Sequence, residues 1–233
     1  MPELPAPRAG AGVVSVGGRV YVCGGSNGSQ ATATVWSIDP SEPGGTWREE
    51  PSMQRPRCAL SGACTAVRTA AGEALIVVCG GRSDAGLLSP EAAHVLQSVA
   101  VFSLATGTWR EDRPLRSARW GAPCCSFAGR VYLVGGSDAG GTLLHDVLSL
   151  RPGDKYWREE PDLHRARACH VAGVVVRPTS LRGVTPEPDS EDSEGGQVRW
   201  TCARAGGGFG GRQQPQDDLR EAKEGIEQCD VQM

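Results

Sequence analysis

A nine-residue stretch that occurs twice, and once more in looser form, constrains this chain more than any other feature. Gly18-Arg19-Val20-Tyr21-Val22-Cys23-Gly24-Gly25-Ser26 returns as Gly129-Arg130-Val131-Tyr132-Leu133-Val134-Gly135-Gly136-Ser137, with Ala74-Leu75-Ile76-Val77-Val78-Cys79-Gly80-Gly81 between them. Each copy is a short apolar run, β-branched or aromatic, that stops at a glycine pair. Such a run reads as a buried strand ending where the backbone needs freedom that no Cβ allows. Three copies at near-equal spacing make a repeat protein.

Each glycine pair has company at matching places. Upstream stands an arginine after a proline-bearing turn: Arg8, Arg57 and Arg119. Arg8 and Arg119 precede their pairs by 16 positions and Arg57 by 23, the excess being assigned to a longer hairpin loop around Arg68–Glu73. Downstream comes an alternating run with serine third: Val35-Trp36-Ser37-Ile38, Val101-Phe102-Ser103-Leu104 and Val147-Leu148-Ser149-Leu150. That alternation fits a half-buried strand. Last come Trp47-Arg48-Glu49-Glu50, Trp109-Arg110-Glu111-Asp112 and Trp157-Arg158-Glu159-Glu160, with Pro51, Pro114 and Pro161 following. Every unit therefore offers four strands, and four strands at a period of roughly 50 residues is the pattern of a β-propeller blade. The 32 glycines, roughly double the usual share, agree with an all-β chain of many turns.

These residues resemble kelch repeats, in which an arginine, an apolar strand ending in Gly-Gly, an aromatic strand and a spaced tryptophan recur. The resemblance covers residues 4–177. It departs from the family where Tyr is common in the third strand, since Trp36, Phe102 and Leu148 stand there. The fold expected is all-β: a partial kelch-type β-propeller of three four-stranded blades plus the first strand of a fourth, with a disordered C-terminal tail. The blades are assigned to 4–50, 51–113 and 114–160. Residues 161–177 form the opening strand of an incomplete fourth blade, with Arg167 in the marker place. The tail, 178–233, contains an acidic serine-rich stretch at Glu187–Glu194 and a run of glycine at Gly206–Gly211.

Composition removes several functions. A net charge of −3 gives no electrostatic reason to expect nucleic acid. No apolar run is long enough to span a bilayer, and Met1–Pro5 lacks the features of a signal peptide. The nine cysteines are then expected reduced, in the cytoplasm or nucleus. None shows the C-x-x-C spacing of structural zinc, so neither metal nor any other cofactor is expected. The glycine pairs lack the G-x-G-x-x-G turn into a helix that a dinucleotide needs. Trp47, Trp109 and Trp157 read as core, and the repeated Arg-Glu-Glu as solvated strand-end charge.

A radical-copper oxidase shares the kelch-type propeller, but its copper-ligating tyrosines and histidines find no counterpart in Tyr21, Tyr132, Tyr156 and four scattered histidines. No catalytic residue is assigned. The resemblance implies a non-catalytic protein-protein interaction module, the substrate-recruiting part of a cullin-type ubiquitin ligase adaptor. The alternative it implies is an actin-associated binder. Because the chain opens on a blade, with no BTB segment before it, no direct cullin contact is expected. By analogy the partner, such as a ubiquitination substrate, contacts Ser26, Asn27, Arg82, Ser83, Trp120, Ser137 and Asp138. Beside them lies the insert Ser89–Leu96, read as a small helix with Ser89 as N-cap.

A chain with three glycine pairs and no fourth is expected to form an open arc, as a truncated or alternative product of a longer gene. Repeat arrays need capped ends, so the isolated reduced chain should melt below about 60 °C, the top of the usual mesophile range. A thermal scan by circular dichroism checks this, and a cooperative transition above that temperature contradicts it.

Overall fold

A computed structural model of the chain describes residues 2–60, 62–84, 94–175, 199–201 and 228–229. Three four-stranded antiparallel sheets follow one another along the chain. The first contains β1 (Gly12–Val16), β2 (Arg19–Cys23), β3 (Val35–Ile38) and β4 (Arg48–Glu50). The second contains β5 (Cys64–Arg68), β6 (Ala74–Cys79), β7 (Val99–Ser103) and β8 (Thr108–Asp112). The third contains β9 (Cys124–Phe127), β10 (Arg130–Ser137), β11 (Leu143–Leu150) and β12 (Arg158–Glu160). Spatial order equals chain order in each, so every blade is a meander. The chain is all-β, as its repeats require.

Alternation along the second strands places the core between blades rather than within one. Ile76 and Val78 turn to the first blade and pack with Tyr21, Cys23, Val35 and Phe102. Leu75, Val77 and Cys79 turn the other way, onto Cys124, Val131, Leu133 and Leu148 of the third. A strand whose two faces are both covered must be apolar throughout, which is why these runs show no polar break. Each seam removes two apolar faces from water, and that burial is the main favourable term in joining blade to blade.

The glycine pairs sit where each seam is tightest. The second glycine donates its N–H to the carbonyl of the next blade's marker arginine: Gly25 to Arg57 at 2.8 Å, Gly81 to Arg119 at 2.9 Å and Gly136 to Arg167 at 2.8 Å. A Cβ on the first glycine of each pair would collide with that same carbonyl, and the backbone there is left-handed in all three. Two constraints, close approach and positive φ, thus meet on one residue.

The middle blade departs from its neighbours in length. Its longer hairpin is present at residues 69–73, but this loop takes only part of the excess, the rest lying in β6, which is longer than β2, and between Arg57 and Cys64. Its third strand begins at Val99, two residues before the expected start, because β6 and β7 pair over a longer register from Cys79↔Val99 to Leu75↔Ser103. The helix expected over Ser89–Leu96 lies outside the described residues as far as residue 93; beyond it, Val95 bridges to Arg82 and Leu96 donates to the Gly81 carbonyl at 2.8 Å.

Beyond the third blade, residues 161–175 repeat the opening of a blade. Leu163, Ala172 and Val174 pack onto Cys125, Tyr132, Val134 and Val147. A short strand, β13 (Val174–Val175), pairs with β14 (Arg199–Thr201), which pairs with β15 (Gln228–Cys229). The rest of the tail expected to be disordered lies outside the described residues. His170 is 5 % exposed at this third seam, and neither ring nitrogen has a hydrogen-bond partner among the described residues. Burial first, then the charge of Arg167, depresses its pKa to about 4.

Two measurements follow from the seams. Gly80→Ala should cost about 2–5 kcal/mol, combining left-handed strain with a clash on the Arg119 carbonyl. Gly72→Ala, at φ +83° in open space, should cost only the strain, about 1–2 kcal/mol; urea titration of both variants separates the terms. His170 stays neutral in the fold to about pH 4 but protonates near 6.5 when unfolded. Its contribution is therefore complete above pH 6.5 and is lost as pH falls toward 4, so the melting midpoint should drop across that window. The drop should flatten in His170→Phe.

Candidate binding face

Three kinds of repeated polar residue were available to build a site, and the structure uses each to hold the blades. The marker arginines are the clearest case. Arg57, 1 % exposed, donates to the carbonyls of Gly80 and Ser98 and to the Ser98 hydroxyl. Arg119, 2 % exposed, donates to the Gly135 carbonyl at 3.1 Å and forks onto both Asp146 carboxylate oxygens at 2.8 Å. Arg8 reaches the Thr34 hydroxyl and stacks over Trp36 at 4.3 Å. Thr34, Ser98 and Asp146 each precede the valine of the third strand that pairs with the end of the second, Val35, Val99 and Val147, so the guanidinium clamps the glycine-pair strand to its neighbour. Burial outweighs the charge of Glu111 and pulls the Arg57 guanidinium down to about 10.

The serine of the third strand has the same explanation. Ser37 accepts from Arg19 and donates to Glu50 at 2.5 Å, and Ser149 accepts from Arg130 and donates to Glu160 at 2.5 Å. In the middle blade Ser103 donates to Glu73. The last residue of Trp-Arg-Glu-Glu is thus bonded into the sheet in blades one and three, which corrects its reading as solvated charge. The tryptophans also differ from expectation. Trp157 is core, but Trp47 and Trp109 are half-buried. Each indole N–H instead ties the blade's outer edge to the segment leading into that blade: Trp47 to the Pro2 carbonyl, Trp109 to Pro51 and Trp157 to Arg113. Trp109 lies at the open rim of its seam, 5.1 Å from Phe102. Trp47 faces a side on which no blade stands among the described residues.

The seven residues expected at a partner surface lie at one end of the blades, where the glycine pairs are, but they are not equally available. Ser26, Arg82 and Ser137 make two-way backbone bonds with Ala9, Cys58 and Trp120 of their own blades, all between 2.8 and 3.0 Å. Ser137 and Arg82 are buried. Arg82 forks onto Asp84, and this ion pair holds the Asp84 carboxyl below its ordinary range. Ser83 donates its N–H to the His94 carbonyl. Asn27 and Asp138, at matching places, organise their loops: Asn27 Oδ1 accepts from the backbone of Ser29 and Gln30, and Asp138 Oδ1 from that of Gly140 and Thr142. Trp120 is half-buried, its backbone fixed by Ser137.

What remains exposed at this end among the described residues differs in sequence: Asn27–Gln30 in blade one, and Gly140–Leu143 in blade three. Leu143, an apolar side chain 51 % exposed at the start of β11, was missed in the sequence because its position alternates like any strand residue. Among the described residues no three His, Cys, Asp or Glu side chains come together as a metal site would require. Burial pushes the Cys58 and Cys125 thiols up to about 11 and 12, the reverse of an activated nucleophile. No helix of the described residues is long and apolar enough to cross a membrane.

Known proteins place this geometry. The family model for the Kelch motif matches residues 7–54 and 118–164, the first and third blades. Kelch-like protein 35 of Mus musculus is 26 % identical over 180 residues, 76 % of this chain and 27 % of that protein. Beta-scruin of Limulus polyphemus is 33 % identical over 105 residues, 42 % of this chain and 11 % of that one. The chain therefore spans about a quarter or less of these relatives. The solved structure of YjhT superposes with a TM-score of 0.58 over 74 % of this chain and 57 % of its own, at 15 % identity, which is a likeness of fold. The glycine pairs, buried marker arginines and tethered tryptophans recur through the blades, two of which carry the Kelch motif, and the chain is similar over three quarters of its length to a kelch-like protein.

Proposed function

We propose that this chain is a non-catalytic protein-binding module whose partner seats on the glycine-pair end of the blades. We propose further that it serves as the substrate-recruiting part of a cullin-type ubiquitin ligase adaptor. One observation carries the binding reading: the repeated polar residues are consumed in holding the frame, while the exposed loops described at this end, in blades one and three, differ in sequence. A rigid frame with variable loops is how interaction scaffolds separate stability from recognition. Leu143 supplies an apolar anchor, and the backbone-ordered loops at Asn27 and Asp138 present their groups with little ordering left to lose on binding. The adaptor reading rests on the resemblance over most of the chain to a kelch-like protein.

Affinity purification with mass spectrometry tests both levels. Recovery of a discrete substrate, and of a cullin when the chain is fused to a BTB domain, supports the adaptor. Co-sedimentation of the chain alone with actin filaments supports cytoskeletal binding instead. Leu143→Asp combined with Gln30→Arg should reduce capture of the recovered partner at least tenfold and leave the melting midpoint within about 2 °C, since neither side chain is buried. Arg82→Ala should lower the midpoint, because it removes a buried ion pair. Undiminished capture by the double variant counts against this end of the blades.

A further inference from the structure

A row of four buried thiols crosses the first two seams. Cys23 closes β2 and Cys79 closes β6, one repeat place, while Cys64 opens β5 and Cys124 opens β9, again one repeat place. Cys23 and Cys64 share the apolar cluster between blades one and two, and Cys79 and Cys124 share that between blades two and three. In the β1–β2 register Cys23 stands opposite Gly12, where an added Cβ would lie 2.7 Å from the Cβ of Cys64. The neighbouring Cys23 thiol raises the pKa of Cys64, and burial with the neighbouring Cys79 thiol raises that of Cys124. All four are free thiols. Packing alone does not ask for sulfur here, since Val134 fills the place of Cys23 and Cys79 at the third seam.

We propose that these thiols are two modification sites, at which a peroxide-class oxidant joins Cys23 to Cys64 and Cys79 to Cys124 and so staples each blade to the next. In each pair one sulfur gives up its proton and attacks the peroxide; the O–O bond breaks, leaving a sulfenic acid and one water. The partner thiolate then displaces the hydroxyl from that sulfur, forming the S–S bond and releasing the second water. Two thiols thereby surrender two electrons and two protons, and hydrogen peroxide takes up both. The Cys23 thiol and burial keep Cys64 protonated, and burial with the Cys79 thiol does the same for Cys124, so reaction follows opening of the seam rather than preceding it. Each bond would close a loop of about forty residues, long enough for a cross-link to restrict the unfolded chain substantially.

The whole reduced chain is treated with hydrogen peroxide under native conditions, denatured, alkylated and mapped without reduction. Tryptic peptide 20–48 should appear linked to 58–68, and 69–82 to 120–130, with fragmentation placing the bonds at Cys64 and Cys124. Four thiols should escape alkylation, and the melting midpoint should rise by about 5–10 °C. Cys23→Val, which copies the third seam's Val134, should remove the first link and keep the second; Cys79→Val should do the converse. The surviving link in each variant also reports that its seam still forms. Thiols that remain alkylatable overturn the proposal. So do links through Cys58, Cys125 or Cys169, a bond within blade two between Cys64 and Cys79, or a linked chain that melts no higher than the reduced one.

Discussion

The bond from the second glycine of each pair to the carbonyl of the next marker arginine is the contact on which the other features depend. It is a backbone bond between blades, so it fixes their separation independently of which side chains fill the seam. The arginine that offers this carbonyl turns its side chain into its own blade, where it bonds the carbonyl of the first glycine. One residue therefore couples two blades, by main chain to the one before and by guanidinium to the one it opens. Removing either partner leaves buried polar groups unsatisfied on both sides, which costs more than the bond itself contributes. Arg167 shows the two roles separately. Its carbonyl accepts from Gly136 and its N–H donates to the Leu144 carbonyl, yet among the described residues its guanidinium reaches only the Arg165 carbonyl, at 3.4 Å.

Much of this frame was legible because repetition filters the sequence. A residue type that returns at one place in three units answers to a demand made by the fold, as the glycine pairs and arginines do; of the third-strand serines, Ser37 and Ser149 share a place opposite Tyr21 and Tyr132, while Ser103 stands two residues along, opposite Leu75. What repetition did not reveal was how each demand is met. The serine stood out as periodic, but its bond to a charged neighbour from another strand depends on cross-strand register, which a linear reading does not contain. Trp47 and Trp157 share a place and still differ in burial, because burial depends on the blade standing opposite and not on the residue itself. The earlier start of β7 was hidden for a related reason: Val99 and Ala100 look like loop until their pairing with Cys79 and Val78 is seen.

The expected partner residues show the converse limit. Ser26, Arg82 and Ser137 were chosen by their distance from a glycine pair, and distance along the chain does not distinguish a loop from the last rung of a ladder. The two-way bonds to Ala9, Cys58 and Trp120 carry the pairing of first and second strands past the glycines, so these positions belong to the sheet. Asn27 and Asp138 lie one residue further, where the chain turns back, and there a side-chain oxygen substitutes for the missing strand partner. The boundary between frame and surface thus falls between the first and second residues after each pair.

That boundary bears on what the fold leaves free to vary. Seam positions must satisfy volume: Cys23, Cys79 and Val134 are close in size and interchangeable for packing, whereas a larger side chain would be refused where Gly12 approaches Cys64. Loop positions beyond Asn27 and Asp138 meet no such limit, because their backbone is already satisfied by one side-chain oxygen. A change at Gln30 or Leu143 alters the presented surface without reaching a seam, while a change one or two residues nearer the glycines alters the frame. Recognition and stability therefore occupy adjacent residues yet answer to different forces: solvation and fit at the loop, and backbone satisfaction at the glycine pair.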